Sequence, residues 1–133
     1  MGVAYPGGVG IVGLDHVQVA APAGTEGEAR RFYGELLGLP ELPKPPELAG
    51  RGGAWFQCGA QQLHVGVDEP FAPARKAHPG IAVASIADLE ALADRLTDAG
   101  VDVRWDTVVP GVHRFHTDDP WGNRLEFVAV PTV

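Results

Sequence analysis

Apolar and polar residues alternate from Leu14 to Ala20, with Val17 and Val19 on one face and His16 and Gln18 on the other. A period of two is that of a strand with one buried face. The period then lengthens, and Ala29, Phe32, Tyr33, Leu36 and Leu37 form one stripe of a helix. Thr25 with Glu28 three residues on predicts a capping box at its start, and Gly38 suits the position just past its end. The proline-rich run 40–46 can hold only a short edge strand. Strands are predicted over 55–58 (WFQC) and 62–67 (QLHVGV), joined by a short hairpin connection.

The order then repeats. Residues 78–83 (HPGIAV) predict a strand, and Ser85 with Asp88 starts a helix whose stripe is Leu89, Leu92, Leu96 and Ala99 before Gly100. Strands follow over 101–105, 112–117 and 124–128, the last after the turn-forming 119–123 (DPWGN). His16 and His78 are 62 residues apart, as are His64 and Glu126, and Gly38 and Gly100. One offset shared by three pairs marks a duplicated unit. The expected organisation is a tail over 1–10, a βαβββ module over 11–67, a linker over 68–77 and a second βαβββ module over 78–130. The expected class is α+β, two modules in one domain with the helices on the outer face of a mixed sheet.

Strand parity sorts the side chains. Val17 with Val19, Leu63 with Val65, Ile81 with Val83 and Leu125 with Phe127 can all pack beneath the helices. The opposite faces carry His16, Gln18, His64, His78 and Glu126, so four metal-ligating residue types share the face the helices leave open. Three imidazoles and a carboxylate suit one divalent ion (Zn, Ni, Mn, Fe or Co) and not a closed cysteine zinc site. If only His16, His78 and Glu126 bind, the set is two histidines and one carboxylate. Gln18, Trp55, Gln57, His113 and Phe115 are the expected pocket lining, and Glu126 is the catalytic candidate. His113 and His116 are three apart in one strand and face opposite sides. Either could donate a proton, with a plain surface role as the default for both.

Composition narrows the classes. A chain of 133 residues with 45% hydrophobic content is enough for one globular domain. Net charge of −7 argues against a nucleic-acid partner. The single Cys58 excludes an internal disulfide and is expected as a small buried hydrophobe. With no basic-then-apolar leader and no long apolar run, the expectation is a cytoplasmic chain without a membrane partner. No phosphate loop, dinucleotide fingerprint or nucleophile elbow is present.

The stretches LDHVQVA, RRFYGELLGL, QLHVGV, AHPGIAV and DDPWGNRLEF together resemble the vicinal oxygen chelate superfamily. That superfamily includes glyoxalases, bleomycin-resistance proteins, fosfomycin-resistance enzymes, epimerases and extradiol dioxygenases. The resemblance spans 11–130 and implies paired modules wrapping a U-shaped sheet around one divalent metal. It implies His16, His64, His78 and Glu126 as the first-, fourth-, fifth- and last-strand ligands. It also implies a homodimer, with the cup formed either within one chain or across the subunit interface, and a small-molecule substrate or ligand. Isomerase or lyase, dioxygenase and addition chemistry all fall within it, as does non-catalytic sequestration of the bleomycin-resistance kind. Glyoxalase-type isomerases usually carry a carboxylate base where this chain has His64. A metal-bound Glu126 is a single proton-transfer group where that chemistry uses two.

Overall fold

The computed structural model describes residues 6–131. The chain runs β1 (His16–Ala21), α1 (Glu26–Ala29) with a π-wound continuation over Arg30–Leu36, β2 (Glu41–Leu42), a 3₁₀ segment (Pro46–Arg51), β3 (Ala54–Cys58) and β4 (Gln61–Val67). It repeats as β5 (Gly80–Val83), α2 (Ile86–Asp98), β6 (Arg104–Asp106), β7 (Arg114–Asp118) and β8 (Arg124–Ala129). The sheets are ordered β1-β4-β3-β2 and β5-β8-β7-β6, each with one parallel and two antiparallel pairings. Two βαβββ modules are therefore present. Half of the expected tail, residues 1–5, lies outside the described residues, and 6–10 is exposed and outside the sheets.

The repeat is visible in the pairing. His16 lies opposite Gln62 in the first parallel pair, and Gly80 opposite Glu126 in the second, so both have the same stagger. The proline-rich run holds only the two-residue β2 at the sheet edge, where a proline need not donate to a ladder. The helices differ. In α2, Ser85 Oγ accepts the Asp88 N–H at 3.0 Å, and Leu89, Ala93 and Leu96 are buried at helical spacing. Gly100 ends it with φ of 81°, a conformation that costs glycine nothing. At α1 the expected capping box does not form. Thr25 Oγ1 donates backwards to the Pro22 carbonyl at 2.7 Å, and Glu26 accepts the Gly53 N–H at 2.9 Å.

One apolar core joins the halves: Phe32, Tyr33, Phe56, Leu63 and Val65 from the first, Leu89, Leu96, Phe115, Leu125 and Phe127 from the second. A polar clamp reinforces it. The Tyr33 hydroxyl donates to Asp119 Oδ2 at 2.8 Å, and Asn123 Nδ2 donates to the Ala20 carbonyl at 2.7 Å. Asp119 also accepts the Trp121 and Asn123 backbone N–H groups. The DPWGN stretch is thus more than a turn, since its two polar ends tie the modules together. The helices meet where Arg95 donates to the Glu35 carbonyl at 2.8 Å. This fixes both helices on one side and leaves the other face of each sheet to the candidate site.

Candidate metal centre

In the second module, His78 lies just before β5, His116 in β7 and Glu126 in β8, and their ligand atoms lie within 4.8 Å of one another. His78 Nε2 and His116 Nε2 both approach Glu126 Oε1, at 3.0 and 3.3 Å. Arg114 approaches the other oxygen at 3.5 Å and also donates to Asp106 at 3.0 Å. Burial works against the Glu126 charge, but the His78 hydrogen bond, Arg114 and His116 outweigh it and hold the carboxyl below its usual range. His116 is held below the ordinary histidine range, first by burial and then by the charge of Arg124. Glu126 is therefore an anion beside a neutral imidazole.

The His78 ring is oriented through its far nitrogen. Its Nδ1 lies 2.8 Å from the Lys76 carbonyl, which can only accept, so the ring proton sits there. Its Nε2 then faces the Glu126 carboxylate oxygen 3.0 Å away, so the two atoms converge on one point of the open face. His16 repeats the device: its Nδ1 donates to Asp15 Oδ1 at 2.9 Å, which leaves Nε2 turned away from that contact. An imidazole oriented through its far nitrogen by a carboxylate or carbonyl is the usual arrangement behind a metal ligand.

The first module holds its own cluster. His64 lies between two rings, Trp55 at 3.9 Å and nearly parallel, and His16 at 4.2 Å. Its Nε2 donates to Gln62 Oε1 at 2.8 Å, leaving Nδ1 with the lone pair. Burial, then the neighbouring His16, keeps the His64 pKa down, so the ring stays neutral and able to bind a metal. Trp55 and His64 are cross-strand partners, which accounts for the stack.

Residues 13–127 match the glyoxalase/bleomycin resistance protein/dioxygenase superfamily. A crystal structure of a glyoxalase family protein from Bacillus anthracis is 50% identical, with a TM-score of 0.85 over 91% of this chain and 97% of that one. The chain belongs to this superfamily. Its fold is shared by the lactoylglutathione lyase of Agrobacterium tumefaciens (19% identity, TM-score 0.72, 90% and 95% covered). It is shared too by a fosfomycin resistance protein of Mesorhizobium loti (16% identity, TM-score 0.67, 91% and 94% covered). No protein of curated function matches the chain.

The residues present fit the divalent metal typical of the superfamily: a carboxylate and imidazoles whose tautomers are fixed by their neighbours. The expected four-residue set is not brought together in one chain. His78 and Glu126 meet, while His16 and His64 form a separate pair. The expected pocket parity of β7 is corrected. Phe115 is fully buried against Phe127, and His116 takes the open-face place beside Glu126. His113 lies before β7 and outside the cluster. Gln18 is exposed beside Gly66, and Gln57 bonds only the Gly59 and Gln61 carbonyls of its own turn. Trp55 lies on the open face, stacked on His64.

Sequence parity missed His116 for an identifiable reason. Pairing makes Trp55 and His116 the equivalent residues, opposite His64 and Glu126, and they are 61 residues apart, not 62. His116 and Glu126 are ten residues apart where their equivalents Trp55 and His64 are nine, and a one-residue slip reverses every face of a strand. The repeat itself carried the signal, because Phe115 in place of Ala54 keeps a core residue on the core side.

Proposed function

We propose that the chain is a divalent-metal-dependent enzyme acting on a small oxygen-bearing substrate, and that it works as a homodimer. Each site would combine His16 and His64 of one copy with His78 and Glu126 of the other. The observation that carries this reading is the convergence of His78, His116 and Glu126, whose ligand atoms lie within 4.8 Å of one another with His78 Nε2 3.0 Å from the carboxylate. When bound, the metal supplies a Lewis acid that polarises a substrate carbonyl or enolate oxygen.

The chain's own groups do the rest. Asp15 and the Lys76 carbonyl hold the ligand tautomers. Glu126 is the anionic base, and His116, neutral and hydrogen-bonded to the same oxygen, is a second proton carrier. That pairing supplies from β7 the proton-transfer capacity that His64 cannot supply as a carboxylate would. Trp55 covers one face of His64 and keeps water from it.

The test is elemental analysis of protein purified without an affinity tag. About one divalent ion per chain is expected, lost in Glu126→Ala and His78→Ala and kept in His113→Ala. Protein that carries no metal and takes none up on dialysis would sink the proposal.

A further inference from the structure

Arg124 differs from every other basic side chain of the protein. Of the ten Lys and Arg residues, only Lys44, Arg114 and Arg124 are partly buried. Lys44 donates to the Gly52 carbonyl, and Arg114 pairs with Asp106 and Glu126. Among the described residues, the Arg124 side chain donates to nothing and has no carboxylate oxygen within 4.0 Å. Its stem is half-buried while none of its nitrogens is sealed from solvent, so the guanidinium is free to meet an anion that arrives on the open face.

Its position says where. Leu125 and Phe127 enter the core, so Arg124 shares the open face of β8 with Glu126. Two residues along a strand span about 7 Å. The carboxylate opposite it in register, Asp118, is taken by Arg104 at 3.0 Å. Glu126 is engaged by His78, His116 and Arg114. Both neighbouring anions are therefore committed.

We propose that Arg124 is the anion anchor of this site, taking a carboxylate or phosphonate of the substrate roughly 7 Å from Glu126. The substrate class is then a small acid whose anionic group sits near the oxygen function that reacts. A guanidinium fork receives two oxygens of either group side by side, which a point charge does not. The inference rests on the metal-centre reading only for where the reacting oxygen lies. The anion contact itself needs no metal.

Calorimetric titration tests it with three probes that differ only in the group offered to Arg124: benzoate, phenylphosphonate and neutral benzamide. Each is run on chelator-treated and on nickel-loaded protein. The wild type is expected to prefer at least one anion over benzamide by about tenfold or more. Arg124→Gln should abolish that preference with metal content unchanged, and Arg124→Lys should keep part of it. Whichever anion is preferred identifies the group. If neither anion binds the wild type saturably, or if Arg124→Gln keeps the preference, the anchor is overturned while the metal centre stands. A preference that depends on Arg124 in protein that never binds nickel leaves the anchor standing and removes the metal-centre reading.

Discussion

The open faces of the two sheets share a backbone plan and differ in electrostatics. On β1, β3 and β4 the first presents His16, Gln18, Trp55, Gln57, Gln62 and His64, with no formally charged side chain. On β6, β7 and β8 the second presents Arg104, Asp106, Arg114, His116, Asp118, Arg124 and Glu126. Duplication kept His16 and His78 at matching positions, each with its Nδ1 turned to an oxygen acceptor, while the surroundings diverged. One half offers a stacked, neutral aromatic surface where desolvating a flat ligand costs little. The other concentrates charge where an anion and a metal can both be held. A site made of one of each kind has both properties, and neither half alone has them.

The largest expected effect comes from testing whether those unlike halves form one site. His16→Ala/His64→Ala protein and His78→Ala/Glu126→Ala protein should each hold no stoichiometric metal. Unfolded, mixed and refolded together, they form mixed dimers in which one of two sites has all four ligands. Half-occupancy of metal per mixed dimer, read by elemental analysis of the separated species, is the expected result. No recovery in purified mixed dimers would mean that the halves do not share a metal.

A second test asks how firmly the halves are joined. Asp119 accepts the Tyr33 hydroxyl, the Asn123 amide and two backbone N–H groups, all from a largely buried position. Asp119→Ala leaves those donors unpaired and is expected to cost about 3 kcal/mol, with Tyr33→Phe costing about 1 kcal/mol. Urea unfolding measures both. Equal, negligible losses would show that the apolar core alone couples the modules.

Much of this was legible in the chain because hydrophobic period and turn chemistry act locally. The strand alternation at Val17 and Val19, the α2 stripe at Leu89 and Leu96 with its Ser85 cap, and the edge role of 40–46 each follow from nearest neighbours. The face of β7 did not, because it depends on the length of a turn relative to its counterpart 61 residues earlier. Nor did the separation of His16 and His64 from His78 and Glu126. Parity assigns a side chain to a face, but which faces converge is set by how the sheets pack. The lack of a partner for Arg124 likewise emerges only when Asp118 is seen to belong to Arg104.

The smallest expected effect separates the two helix entries, and its sign follows from the Glu26 carboxyl. Ser85 caps α2 with a neutral hydroxyl, whereas α1 is tied to the start of β3 by Glu26 accepting the Gly53 N–H. That hydrogen bond, more than the nearby Arg30 and Lys44, holds the Glu26 pKa below 4.5. A carboxyl whose folded pKa is depressed stabilises the fold fully above its unfolded value, and the contribution is lost as pH falls through the lower folded value. The stability difference between wild type and Glu26→Gln should therefore be constant above about pH 6 and shrink below 4.5. Because the group is largely solvated, the difference should stay under about 1 kcal/mol. Ser85→Ala, which removes a cap that does not titrate, should cost about 1 kcal/mol with no dependence on pH in that window. Chemical unfolding of both variants from pH 3.5 to 7 decides it, since parallel curves would show that Glu26 carries no charge-dependent tie between α1 and the strand bearing Trp55.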